Sequence, residues 1–221
     1  MRPGAVFVLA GVLVGLLVGA APAQDSKPLF DGKTLNGWDG DPRLWSVRDG
    51  VITGSTEGHN IEHNEFLITK KEYGNFVLHA EMKLRNHNSG IQFRSEALPD
   101  YVVTGYQADA GESNYWGNIY EEKGTRGTMV DGWKAGGKDV VNLKDWNTYD
   151  IRCEGDHITI TLNGKVTADI HDSARLRVER AVDRDRGHEF GQRHECWFGA
   201  ADVGQRVDGF AARFHEDTLG P

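Results

Sequence analysis

The sequence predicts an all-β domain, an antiparallel β-sandwich or barrel, on three observations. From Gln24 onward no window of eleven or more residues keeps the i, i+3, i+4, i+7 apolar spacing of an amphipathic helix. Period-two alternation recurs instead, and turns rich in Gly, Asn and Asp separate the alternating runs. The composition agrees: 28 Gly against 6 Pro in 221 residues, 38% hydrophobic and 26% charged, describes a folded domain rather than a disordered chain.

Taken in order, the first element is not a strand. Met1-Arg2-Pro3 precedes an apolar run from Ala5 to Ala20, and Ala21-Pro22-Ala23 supplies an A-x-A cleavage site before Gln24. A membrane-spanning helix needs about 20 apolar residues and polar flanks. Residues 1–23 are therefore expected to be a signal peptide and 24–221 a single exported domain, periplasmic or extracellular, with no membrane association after cleavage. Next, Asp49-Gly50 between Trp45–Arg48 and Val51–Gly54 signals a hairpin. From Phe76 to Arg85, Phe76, Leu78, Ala80, Met82 and Leu84 share one face and Val77, His79, Glu81, Lys83 and Arg85 the other, as in a strand with one buried side. Tyr149–Cys153 meets Ile158–Leu162 across a four-residue turn. Asn163-Gly164, which supplies the two positive φ values of a type I′ turn, then leads into Lys165–Ile170. Around Val207–Phe214 a last strand is expected after an Arg-rich stretch, Arg175–His194, that shows no clear alternation.

Charge and motifs exclude several classes of function. A formal net charge of −8 with no basic run argues against nucleic-acid partners, which need clustered Lys and Arg. Short strands between turns disfavour a doubly wound nucleotide fold. Gly32-Lys33-Thr34 lacks the glycine of a phosphate loop, because Lys27 stands five positions before Gly32. No G-x-S-x-G elbow is present. Two cysteines, Cys153 and Cys196, cannot build a disulfide scaffold; they either pair, or Cys153 is a buried thiol in its alternating strand. His59 and His63, with Glu62 and Glu65 nearby, lie in a turn-like segment without His-Glu-x-x-His order and read as loop residues rather than metal ligands.

The block from Asn86 to Gly127 carries the chemistry. In Asn88–Arg94, Ile91 and Phe93 face one way and Gln92 and Arg94 the other. Tyr106 and Ala108 likewise alternate with Gln107 and Asp109, and Trp116–Glu122 leads into Lys123–Arg126. Placed as sheet neighbours, these strands offer Arg, amides, carboxylates and aromatics on one face. Such groups suit a small carbohydrate or glycoside, since aromatic rings stack on pyranose C–H groups while amides, carboxylates and guanidinium bind hydroxyls. An ordinary solvent-facing sheet with an Arg94–Asp109 ion pair is the competing reading. Glu121 and Glu122 point to opposite faces of an extended strand, so at most one serves a given cleft. His79 and His87 are weaker candidates for the same cleft.

Six segments then appear in order: Leu29–Trp38, Trp45–Ile52, Phe66–Phe76, Asn88–Arg94, Gly105–Gln107 and Leu162–Gly164. Together they resemble the 3-keto-disaccharide hydrolase domain family, clearly over 28–170, with 171–221 divergent. The family's closing Leu-Gln-x-His-like and Phe-x-Asn-Ile-like segments have only a faint echo in Phe210–Phe214. The resemblance implies a concanavalin A/glucanase-like jelly roll acting on glycosides oxidised at C3. Abstraction of the C2 proton, expulsion of the C1 aglycone and hydration need one base and an electrophile at the enolate oxygen. On that basis Glu121 or Asp109 is the expected base, and Arg94 or a divalent metal the electrophile. Gln92, Gln107, Asn118 and Arg126 are expected to bind substrate, with Trp116 or Tyr120 as the stacking aromatic. A lectin-like binding module on the same sandwich is the alternative without a reaction.

Overall fold

The computed structural model describes residues 27–173 and the backbone of 208–218. The predicted signal peptide, the Arg175–His194 stretch and Cys196 lie outside the described residues. In chain order the strands are β1 (Lys27–Pro28), β2 (Trp38–Asp39), β3 (Trp45–Arg48), β4 (Val51–Ser55), β5 (Ile68–Thr69), β6 (Phe76–Leu84) and β7 (Asn88–Ala97). They continue with β8 (Val103–Gly111), β9 (Ile119–Glu122), β10 (Thr128–Val130), β11 (Asn147–Glu154), β12 (His157–Leu162), β13 (Lys165–His171) and β14 (Asp208–Thr218). Helix between the strands is one wide turn, Trp133–Gly137, running into Lys138–Val140.

The turn chemistry sets the hairpins. Asp49 and Gly50 take φ values of 50° and 74° between β3 and β4, and Asn163 and Gly164 take 48° and 80° between β12 and β13. Two successive positive φ values give the turn whose twist matches that of paired strands. The Phe76–Leu84 alternation appears intact in β6, whose odd positions counted from Phe76 are buried and whose even ones are half-buried. The expected last strand is β14, which pairs antiparallel with β6 from Phe210 opposite Leu84 to Thr218 opposite Phe76.

Two antiparallel sheets form the sandwich. The larger runs β13-β12-β11-β6-β14-β4-β3 with β1 against β14, and the smaller runs β10-β9-β8-β7; a two-stranded ribbon pairs β2 with β5. This is the jelly-roll sandwich of the concanavalin A/glucanase class. The core fills the space between the sheets. Phe76, Leu78, Met82, Tyr149, Ile151 and Ile160 from the large sheet meet Ile91, Phe93, Tyr106, Ala108 and Ile119 from the small one. Each fully buried Phe, Leu or Ile of this set contributes about 1.5–3 kcal/mol. Cys153 is buried in the same layer and forms no disulfide among the described residues, its pKa pushed up to about 12 by burial.

Fixing Ile91, Phe93, Tyr106, Ala108 and Ile119 against the core also fixes their neighbours. By alternation, Gln92 on β7 and Gln107 and Asp109 on β8 face outward from the small sheet. The site is built on that outer face.

Candidate active site

Register brings the outward residues together. Gln92 pairs with Gln107, Gly90 with Asp109, and Gln107 in turn with Tyr120 of β9. A directed chain of hydrogen bonds connects them. Ser95 Oγ donates to Gln92 Oε1 at 2.9 Å, Gln92 Nε2 to Gln107 Oε1 at 2.8 Å, and Gln107 Nε2 to Asp109 Oδ1 at 2.8 Å. Gln92, Ser95, Gln107 and Asp109 are all buried. The amides are thereby fixed in rotamer and orientation, and the run ends on a carboxylate. Gly90 is required opposite Asp109: a Cβ there would come within 2.5 Å of Gln107 Cγ and 2.7 Å of the Ala108 carbonyl oxygen. The position beside Asp109 on β7 therefore carries no side chain.

A backbone irregularity separates Arg94 from this group. Register between β7 and β8 shifts between Phe93 and Glu96, so Arg94 and Ser95 together oppose Gly105. Arg94 takes φ 47°, and a Cβ at Gly105 would lie 2.1 Å from Ser95 Oγ. The extra residue puts Ser95 beside Gln92 and turns Arg94 inward. Its positive charge acts on Cys153, in the core layer of the opposite sheet, and on Asp156. The expectation that Gln92 and Arg94 share a face is thus corrected, as is an Arg94–Asp109 pair: simple alternation does not survive a β-bulge. Arg94 is buried, and its Nε and Nη2 have no hydrogen-bond partner among the described residues.

Glu121 also belongs to the core-facing side, because it pairs with Tyr106. Arg126 holds it there: Arg126 Nε and Nη2 donate to Glu121 Oε1 at 2.9 and 2.5 Å, and the Arg126 backbone N–H donates to Oε2 at 3.0 Å. Arg126 Nη1 also donates to Asp172, which accepts from the Tyr106 hydroxyl at 2.7 Å. These partners drive the Arg126 pKa up, Glu121 foremost. Burial does the same for Tyr106, with the Asp172 carboxylate adding to it. Glu121, Arg126 and Asp172 thus form one ion-pair network, apart from Asp109. Asp172 carries no signal in the sequence, since only the return of β13 brings it to Arg126.

Two further expected residues have structural partners. Trp116 is buried in the core, stacked on Tyr149 at a centroid separation of 5.9 Å, and donates its indole N–H to the Gly111 carbonyl. It is not an exposed platform. Asn118 is buried, its carbonyl accepting from Asp109 N at 3.2 Å and its Oδ1 from Trp133 N at 2.9 Å. Tyr120 is half-buried opposite Gln107. His79 lies on the large sheet, with Nδ1 2.5 Å from Asp150 Oδ1, and His87 contributes its backbone N–H to Glu112.

Asn64–Ile68 closes one end of the outer face. Asn64 Nδ2 donates to Glu122 Oε1 at 3.5 Å, Phe66 N donates to the Tyr101 carbonyl at 2.8 Å, and Phe66 and Ile68 pack with Val103. Glu65 is buried in this loop and its pKa is raised, first by burial and then by nearby Asp41. Asp41 itself is clasped by Arg43, whose hydrogen bonds hold its carboxyl below the usual range. His59 and His63 sit outside helix and strand, as expected. Among the described residues no group of three or more His, Cys, Asp or Glu side chains is arranged to hold a metal ion.

Comparison with known proteins adds to this geometry. Residues 25–190 match the model of the 3-keto-alpha-glucoside-1,2-lyase-like domain family. No curated protein matches the sequence. Among solved structures, two proteins of Parabacteroides distasonis ATCC 8503, both described provisionally as glycosyl hydrolases, superpose well. One has a TM-score of 0.59 at 20% identity over 88% of this chain and 94% of its own, the other 0.56 at 22% over 88% and 100%. The carbohydrate-binding module CBM66 from Bacillus subtilis superposes with a TM-score of 0.50 at 14% identity, over 82% of this chain and 96% of its own. At these identities the likeness is one of fold.

Proposed function

Because the chain belongs to the family of 3-keto-alpha-glucoside-1,2-lyase-like domains, we propose that it is an exported carbohydrate-active enzyme that cleaves 3-keto-glycosides at Asp109. The observation that carries this reading is the buried chain Ser95–Gln92–Gln107–Asp109 on the outer face of the small sheet. A structural sheet has no need of two amides locked in series onto a carboxylate at 2.8 Å. A site that must orient a sugar and remove one proton does.

The C3 carbonyl acidifies the C2 proton. Asp109 takes that proton, and the electron pair left behind forms the C2–C3 enolate. As the enolate returns to a ketone, the pair forms the C1–C2 double bond, and the C1–O bond breaks. The aglycone leaves as an alkoxide and takes up a proton. Water then adds across the double bond, oxygen to C1 and hydrogen to C2, completing a net hydrolysis. Each amide of Gln92 and Gln107 carries a second N–H beyond the one in the chain, a donor of the kind that stabilises an enolate oxygen or binds a hydroxyl. One such donor is worth about a hundredfold to a thousandfold in rate. Glu121, Arg126 and Trp116 have no part in this reading, since each is held by structural partners, nor has Arg94, which is turned to the core side.

The test is incubation with methyl 3-keto-α-D-glucopyranoside and with unoxidised methyl α-D-glucopyranoside. Release of methanol from the keto sugar alone supports the elimination. Release from both refutes it, and binding without release from either makes the domain a carbohydrate-binding module.

A further inference from the structure

Tyr115 combines two features that the fold does not require. Its φ is 69°, a conformation that a bulky side chain rarely adopts, and it remains 44% exposed. Gly111 shows where its ring lies. Gly111 is two residues beyond Asp109 on β8, so a Cβ at that position points to the outer face. Such a Cβ would come within 2.9 Å of Tyr115 Cδ2. The ring therefore covers the outer face about 7 Å along the strand from Asp109, one side-chain repeat of β8. Across the pair, Asn88 is the register partner of Gly111, and its Oδ1 is buried without a hydrogen-bond partner among the described residues. Backbone strain and an orphaned buried acceptor are both costly, and both fall at the same end of the same face. An aromatic plane beside an unmet hydroxyl acceptor is the chemistry of a pyranose subsite.

Building on the reading of Asp109 as the reaction centre, we propose that Tyr115 and Asn88 form a second sugar subsite. It takes the aglycone ring of a disaccharide whose oxidised ring lies at Asp109. Tyr115 stacks on the ring and Asn88 Oδ1 accepts a hydroxyl.

Initial rates with 3-keto-trehalose and with methyl 3-keto-α-D-glucopyranoside, which lacks the second ring, test the proposal. Tyr115→Gly raises KM for the disaccharide about threefold to tenfold, leaving kcat and the methyl glycoside parameters within about twofold. Its melting temperature holds or rises, since glycine relieves the positive φ. Tyr115→Trp keeps the disaccharide KM at or below that of the parent. An unchanged disaccharide KM in Tyr115→Gly, or an equal rise for both substrates, overturns the subsite and leaves the Asp109 reading standing. A parent protein that turns over neither substrate overturns both.

Discussion

Asp109→Asn and Glu121→Gln make the same chemical change on opposite faces of one sheet, and their effects should separate. Asp109→Asn removes the proposed base while keeping an oxygen to accept from Gln107 Nε2, now at 2.8 Å. Loss of a general base costs about a hundredfold to ten-thousandfold in kcat, and the fold should be little disturbed. Glu121→Gln neutralises a carboxylate that accepts three hydrogen bonds from Arg126. Hydrogen bonds to charged groups are worth about 1.5–3 kcal/mol, but an amide oxygen still accepts and Asp172 still holds Arg126. The Arg126 side chain is also 37% exposed, so water takes up part of the loss. A net cost of about 1–2 kcal/mol remains, which lowers the melting temperature by roughly 2–8 °C in a chain of this length. Its kcat should fall less than about tenfold, because no group at the outer face has changed. Thermal unfolding by circular dichroism and methanol release from methyl 3-keto-α-D-glucopyranoside read the two effects. Turnover lost in Glu121→Gln at an unchanged melting temperature, or retained in Asp109→Asn, would refute the assignment of faces.

Arg94→Met should keep or raise the melting temperature, since it replaces a buried guanidinium whose Nε and Nη2 lack partners among the described residues with an apolar chain of similar length; a marked drop in thermal unfolding would contradict that. Burial raises the Glu65 pKa. An acid with a raised folded pKa stabilises below its unfolded value, and the contribution is lost as pH rises through the folded one. Glu65→Gln should therefore melt higher than the parent at neutral pH, the difference closing toward about pH 4; a gap independent of pH counts against this. Cys153, buried with its thiol pushed up to about 12, should resist iodoacetamide at pH 8 in the folded protein and react only after denaturation, as peptide mass spectrometry would report. N-terminal sequencing of the protein secreted from a bacterial host should begin at Gln24, and an unprocessed Met1 in the exported fraction would count against the leader.

Much of the fold is legible because strand formation and turn type are local. The β6 alternation, the positive φ values at Asp49-Gly50 and Asn163-Gly164, and the pairing of β11 with β12 each depend on a few adjacent residues. The site was legible only in part. Gln92, Gln107 and Asp109 were found by their alternation with Ile91, Tyr106 and Ala108, and they do share a face. Glu121 and Arg126 were grouped with them because both are polar and close in sequence, yet β9 pairs Glu121 with Tyr106 on the core side. Trp116 resembled a stacking platform by type, but its place against Tyr149 is set by a contact between residues 33 positions apart. Tyr115, its neighbour, keeps the exposed ring, and only the φ of a turn tells the two apart.

By itself the sequence determined the longer strands, though not the short β1, β2, β5 and β10, the two hairpin turns, and the resemblance to the 3-keto-disaccharide hydrolase domain family. These rest on period-two sterics, on the φ preferences of Gly and Asn, and on ordered motifs. Only the tertiary structure decided which polar residues meet. One extra residue at Arg94–Ser95 reverses the side-chain parity of β7, and no local pattern marks that bulge. Whether a carboxylate then lies on the outer face, as Asp109 does, or meets an arginine, as Glu121 does, follows from which face the second sheet covers.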